Sequence, residues 1–172
     1  MVRREAGTEE HSATERKGLT PREVQVLTLV AMGHTRDKTA ASLGTSGHTV
    51  QNQMLDILLR LGVHTTLQAS LTAVEQGIIN PREIVKIRGI SDPAAILSRL
   101  SHRERVVLAT MSLNGGRKSS YEEMADTLGV SPHTIKNHLA RIYTAFGVRN
   151  GTFAVMLFVA AEASRPPTSI VK

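Results

Sequence analysis

Cysteine is absent from the 172-residue chain, which excludes disulfides and thiolate–metal sites. Tryptophan is absent too, and aromatic residues make up only 3% of the sequence. With hydrophobic residues at 41%, any core must therefore be small and mainly aliphatic. No apolar run reaches the roughly 18 residues of a membrane span, and the first eighteen residues, MVRREAGTEEHSATERKG, lack the apolar segment of a secretory signal. These absences set the expectation of a cytoplasmic protein with no membrane segment. The seven histidines, at 11, 34, 48, 64, 102, 133 and 138, show no metal-ligand spacing. His133 and His138, five apart on a helix, do not share a face. The segment NGGRKSS at 114–120 lacks the phosphate-cradling pattern G-x-x-x-x-G-K-[ST]. Glu122 and Glu123 read as the acidic first turn of a helix rather than as a catalytic pair. No cofactor, metal or enzymatic activity is expected.

What the sequence does have is a repetition. GTSGHTVQNQMLDILLRLGV at 44–63 and GVSPHTIKNHLARIYTAFGV at 129–148 are identical at eight of twenty positions, at an offset of 85. A period of that length is too long for a solenoid unit and suits two small domains in tandem. Each copy opens on a capping box, TPRE at 20–23 and SHRE at 101–104, in which the hydroxyl and the glutamate satisfy the first free backbone N–H groups of a helix. Apolar residues then recur at helical spacing. Short second helices follow, DKTAASLG and YEEMADTLG, and then a serine that caps a longer third helix closed by LGV or FGV. Fourth helices are expected in TLQASLTAVEQG and NGTFAVMLFVAAEA. The fold expected is all-α, with two four-helix helix-turn-helix domains at 19–79 and 100–163. A partly helical linker at 80–99, with two Asx-Pro helix starts, joins them. A disordered N-terminal tail is expected at 1–18 and a frayed C-terminal tail at 164–172.

The formal net charge of +6 is distributed unevenly. Residues 1–18 and 19–79 each carry four basic and four acidic side chains, whereas 80–99 carry four against two and 100–160 carry seven against four. The basic excess lies in the second half and favours a polyanionic partner. In the second copy's third helix Ile135, Leu139, Ile142 and Phe146 form one apolar stripe. The opposite face carries Lys136, Asn137, Ala140, Arg141 and Thr144, a narrow basic surface of the residue types that read base edges in the major groove of double-stranded DNA. His133 and Thr134 lie in its first turn, where side chains and backbone N–H groups reach phosphates.

The order of capping box, helix, short helix, turn and TIKNHLARIYTAFGV strongly resembles the LuxR/FixJ-type helix-turn-helix output domain of bacterial transcription regulators. The first copy matches through LTPREVQVL, AASLGTSGHTVQNQ and LRLGV, and the two resemblances together cover about 120 residues. The resemblance implies a sequence-specific double-stranded DNA-binding regulator located at the bacterial nucleoid. It also implies that Thr134, Lys136, Asn137 and Arg141 lie near DNA; Ser131, His133, His138 and Ala140, the last standing where the family often has a basic residue, complete the DNA-binding candidates. The first copy departs from the pattern. Gln51 stands where the second has Lys136, Gln53 where it has His138, Leu55 where it has Ala140, Asp56 where it has Arg141, and Leu59 where it has Thr144. Its apolar stripe, Val50, Met54, Ile57 and Leu61, is intact, so the fold is expected to persist with low DNA affinity. Thr49, Gln51 and Asn52 are its weaker DNA-binding candidates.

The fourth helix commonly makes the dimer contact in this family. Because FAVMLFVAA at 153–161 is apolar almost all round, both its faces should be covered. Phe153, Met156, Leu157 and Phe158 are thus candidates for a homodimer contact, with burial inside the chain as the plain alternative. An intramolecular pseudo-dimer, with both copies on adjacent half-sites, is the other arrangement. A competing function is an adaptor that uses Leu55 and Leu59 to dock RNA polymerase, a sigma factor or another regulator.

Overall fold

The computed structural model describes residues 18–113 and 121–164. The tail 1–17, the basic segment 114–120 and the tail 165–172, for which disorder, a loop and fraying were expected, lie outside the described residues. All regular structure among the described residues is helical. The first copy comprises α1 (Pro21–Ala31), α2 (Arg36–Leu43), α3 (Gly47–Leu61) and α4 (Thr66–Glu75). The intervening segment forms α5 (Pro81–Ile87) and α6 (Pro93–Leu97). The second copy comprises α7 (His102–Leu113), α8 (Tyr121–Leu128), α9 (Pro132–Phe146) and α10 (Gly151–Glu162).

The caps are those the sequence expects. Thr20 Oγ1 accepts from Glu23 N, and Glu23 Oε2 accepts from Thr20 N at 2.7 Å. Ser101 and Glu104 make the same reciprocal pair, with Glu104 Oε2 accepting from Ser101 N at 2.8 Å. Both glutamates are buried as a result. The two Asx-Pro steps start α5 and α6, with Asn80 Oδ1 accepting from Arg82 N and Asp92 Oδ1 from Ala95 N. The four apolar stripe residues of α9 are buried, as are Val50 and Ile57 of α3, while Met54 and Leu61 are half-buried against the same core.

The two copies share a core whose axis is α10. Phe153, Ala154, Val155, Met156, Leu157, Ala160 and Ala161 are all buried. The helix packs on α7 and α9 of its own copy, on α5 and α6, and on α1 and α4 of the first copy. At an offset of 85, α4 has Gln68, Ser70 and Thr72 where α10 has Phe153, Val155 and Leu157. All three of these α10 residues are buried, and α5 and α6 pack on the same helix. Arg88 lies over the Phe153 ring at 5.0 Å from its centroid, a cation–π contact between linker and helix. Arg82 donates to the Ala163 carbonyl at the other end of α10.

The homodimer assignment for Phe153, Met156 and Leu157 is thereby corrected: these side chains are no more than 2% exposed and are covered by their own chain. An apolar helix surface needs a cover, and the linker and first copy supply it. Phe158 is half-buried, in a cleft with His102, Arg105, Val106, Ala109 and Glu162. The partly helical linker that the sequence expects is observed, with α5 and α6 folded onto α10.

Gly33, just beyond α1, closes the junction. It has φ +83°, and a Cβ there would meet Asn150 Nδ2 at 3.1 Å and Phe153 Cβ at 3.2 Å. Asn150 caps α10 through Oδ1 and donates from Nδ2 to the Gly33 carbonyl at 3.0 Å. The adjacent His34 is half-buried, and its Nδ1 has no hydrogen-bond partner among the described residues. Burial first, then the charges of Lys38 and Arg88, lower its pKa below the ordinary value of 6.5.

Candidate nucleic-acid interface

α3 and α9 are built on one plan. Each has fifteen residues, a serine N-cap (Ser46, Ser131) and a glycine C-cap in the left-handed region (Gly62 at φ 66°, Gly147 at φ 63°). In each, the serine Oγ accepts from the backbone N–H of the threonine three residues on, at 3.1 Å, and shares a hydroxyl–hydroxyl hydrogen bond with it (2.9 Å in α3, 2.8 Å in α9). This arrangement fixes the first turn, and with it the direction in which the outward side chains leave.

On α9, Lys136, Asn137, Ala140 and Arg141 are exposed on one continuous face, opposite the buried Ile135, Leu139, Ile142 and Phe146. Ser131 and His133 are exposed and Thr134 is half-buried at the same end. Lys136 Nζ sits 5.4 Å from the centroid of the Tyr121 ring at the start of α8. Tyr143, two turns further along α9, has its pKa raised by burial and by Tyr121, and stays a neutral phenol. Tyr121 was not among the sequence candidates. Its signal is faint, because the first copy has a different residue at the equivalent place.

His138 is placed differently from the expectation. It is half-buried, its Nδ1 is inaccessible and without a partner among the described residues, and its ring faces Arg103, Val106, Val107, Leu128, Val130 and Ile135. Residue 138 is three positions after Ile135 and adjacent to Leu139, on the edge of the buried stripe. The ring is therefore drawn against α7, away from the face of Lys136 and Arg141.

On α3, Thr49, Gln51 and Asn52 are exposed, and so are Leu55 (53%) and Leu59 (80%) with Asp56 between them. Asn52 Nδ2 lies 3.4 Å from His48 Nε2. The helix surface itself has lost the cations of α9, but a cation arrives from α2. Arg36 Nη1 donates to Gln51 Oε1 at 3.1 Å, a pairing that spacing along one helix could not reveal. Arg60 faces away and pairs with the buried Glu23 at 3.0 Å. The equivalent of Arg60 in α9 is Ala145, and Glu104 has no ion pair among the described residues.

Among the described residues no cluster of three or more His, Cys, Asp or Glu is arranged to hold a metal ion, and no single helix is long and apolar enough to cross a membrane.

Comparison with known proteins places this sequence in a family. The model of "Bacterial regulatory proteins, luxR family" matches the chain twice, over residues 17–73 and 98–158. Similar proteins include the HTH-type transcriptional activator RamA of Corynebacterium glutamicum, 37% identical over 51 residues, which are 30% of this chain and 18% of that protein. The DNA-binding transcriptional activator DevR/DosR of Mycobacterium tuberculosis is 29% identical over 84 residues, 49% of this chain and 37% of that protein. The chain thus spans well under half the length of either relative. No solved structure matches it significantly.

Proposed function

The chain belongs to the luxR family of bacterial regulatory proteins, and we propose that it is a sequence-specific double-stranded DNA-binding transcription regulator that reads the major groove chiefly with α9. The observation that carries this reading is the row of exposed Lys136, Asn137, Ala140 and Arg141 on a helix whose other face is buried. Such a helix fits the groove. Asn137 has the amide geometry for an adenine edge, Ala140 suits a thymine methyl, and Lys136 and Arg141 reach guanine or phosphate. Ser131, His133 and Thr134 stand at the phosphate-facing end of the helix. The similar proteins named above are transcriptional activators, which supports a regulatory role without fixing the direction of control.

The chain acts in this reading without a partner copy bound through Phe153, Met156 and Leu157, since its own chain already covers them. The test is a band-shift titration of the intact protein on duplex DNA. The double substitution Lys136→Ala/Arg141→Ala is expected to lower affinity by about 10- to 100-fold, and the slope of log K against log salt by roughly 2. Unchanged binding in that variant contradicts the reading.

A second reading rests on Leu55 and Leu59, two large apolar side chains exposed one turn apart on α3. They make that half of the helix a candidate contact for RNA polymerase or another regulator. Leu55→Ser/Leu59→Ser is expected to leave DNA binding intact and to abolish only such protein contact.

A further inference from the structure

The first copy has not discarded its cation; it has moved it. At the constant offset of 85, Arg36 stands where α8 has Tyr121, and Gln51 where α9 has Lys136. In both copies the two side chains meet: Tyr121 with Lys136 across 5.4 Å, and Arg36 with Gln51 through a 3.1 Å hydrogen bond. The positively charged member has passed from the third helix to the second. Space for the change is provided at the next residue pair. Pro132 opens α9, but Gly47 opens α3, and a Cβ at Gly47 would stand 3.3 Å from Arg36 Nε and 3.1 Å from Asp37 Oδ1. The absence of a side chain there lets the arginine lie along the first turn of α3 toward Gln51.

We infer that Arg36, held by Gln51, is a DNA-phosphate contact of the first copy, so that both copies of the chain engage DNA by different means. This rests on the reading of α9 given above. A guanidinium whose fork is fixed by a neighbouring amide loses less freedom on meeting a phosphate than a free lysine does. The amide accepts one N–H from Nη1 and Nε lies beside the Asp37 carboxylate, which leaves the remaining Nη donors for a phosphate. The contact is confined to the N-terminal end of α3, because Leu55, Asp56 and Leu59 further along offer no donor to a phosphate or an acceptor edge. In the first copy the helix therefore anchors rather than reads. Asp37 opposes the contact: its carboxylate lies 3.6 Å from Arg36 Nε, and both side chains are largely exposed.

The experiment is a salt titration of duplex binding by the intact chain and its variants, with circular dichroism as the check on folding. Arg36→Ala is expected to reduce affinity about threefold to tenfold and to lower the salt slope by about 1, one phosphate contact. Asp37→Asn is expected to raise affinity. Installing the second copy's pair, Arg36→Tyr/Gln51→Lys, is expected to recover the slope. Arg99→Ala, which removes the same charge from the segment between the copies, is expected to leave the slope at its wild-type value. If Arg36→Ala leaves affinity and slope unchanged while Lys136→Ala weakens binding, the inference is overturned and the reading of α9 stands. An equal fall in Arg99→Ala overturns it as well, since the effect would be one of overall charge. Failure of the wild-type chain to bind any duplex overturns both.

Discussion

The two copies differ least where they are built and most where they face outward. α3 and α9 have the same length, the same serine–threonine first turn and the same glycine terminus. Their exposed faces keep His48/His133 and Asn52/Asn137 but otherwise diverge: Lys136, Ala140, Arg141 and Thr144 against Gln51, Leu55, Asp56 and Leu59. The fourth helices diverge in the opposite sense. α4 keeps polar Gln68, Ser70 and Thr72, whereas α10 is apolar at all three equivalent positions and has become the axis of the shared core. The second copy thus carries both the basic outward face and the helix at the centre of the core, while the first differs mainly in its surface. The scaffold permits this because the residues that fix a helix's ends and its buried stripe are not those that face outward.

The largest effect that would break this comparison is on stability. Leu157→Ala is expected to destabilise the chain by about 2–5 kcal/mol, as for a fully buried leucine. Because α10 packs on both copies, thermal unfolding followed by circular dichroism is expected to keep a single transition. Two separate transitions would show that the copies fold independently.

An intermediate effect concerns the buried glutamates. Arg60→Ala leaves Glu23 buried without its partner and is expected to cost about 1–2 kcal/mol, below the figure for a fully buried pair because Arg60 is partly exposed. Ala145→Arg tests the reverse in the second copy, where Glu104 has no such partner among the described residues. It is expected to change stability in denaturant titration by less than about 1 kcal/mol.

The smallest effect belongs to the junction. A histidine whose folded pKa is lowered is neutral in both states above 6.5, so its contribution is fully present there. As pH falls through 6.5 the unfolded chain takes the proton first, and stability falls until the folded pKa is passed. His34→Gln is expected to remove this acid-side slope, seen as a flatter melting temperature against pH below 6.5 than in the wild type. An unchanged slope would place the acid sensitivity elsewhere.

The helices, their caps and the stripe of α9 were legible in the sequence because each depends on residues three or four apart. The environment of α10 was legible only as a choice. An apolar surface all round states that something covers the helix, but carries no directional signal about what. The inward turn of His138 was missed because that position sits at the boundary of the stripe, where one helical step of 100° separates groove from core. Arg36 was missed for a different reason. Its partner Gln51 lies across a turn on another helix, and the equivalent pair in the second copy has neither residue in common with it. Comparing the copies position by position therefore recorded a lost cation where a pair had changed.

The most direct test is to select bound sites from random duplexes with the wild-type chain and with Asn137→Ala, an exposed substitution with no structural role in the core. Groove reading by α9 predicts a defined sequence preference for the wild type and a relaxed preference at one or two base positions for the variant, roughly 1–3 kcal/mol of discrimination lost there. Identical preferences for the two proteins, or no preference in either, would contradict it.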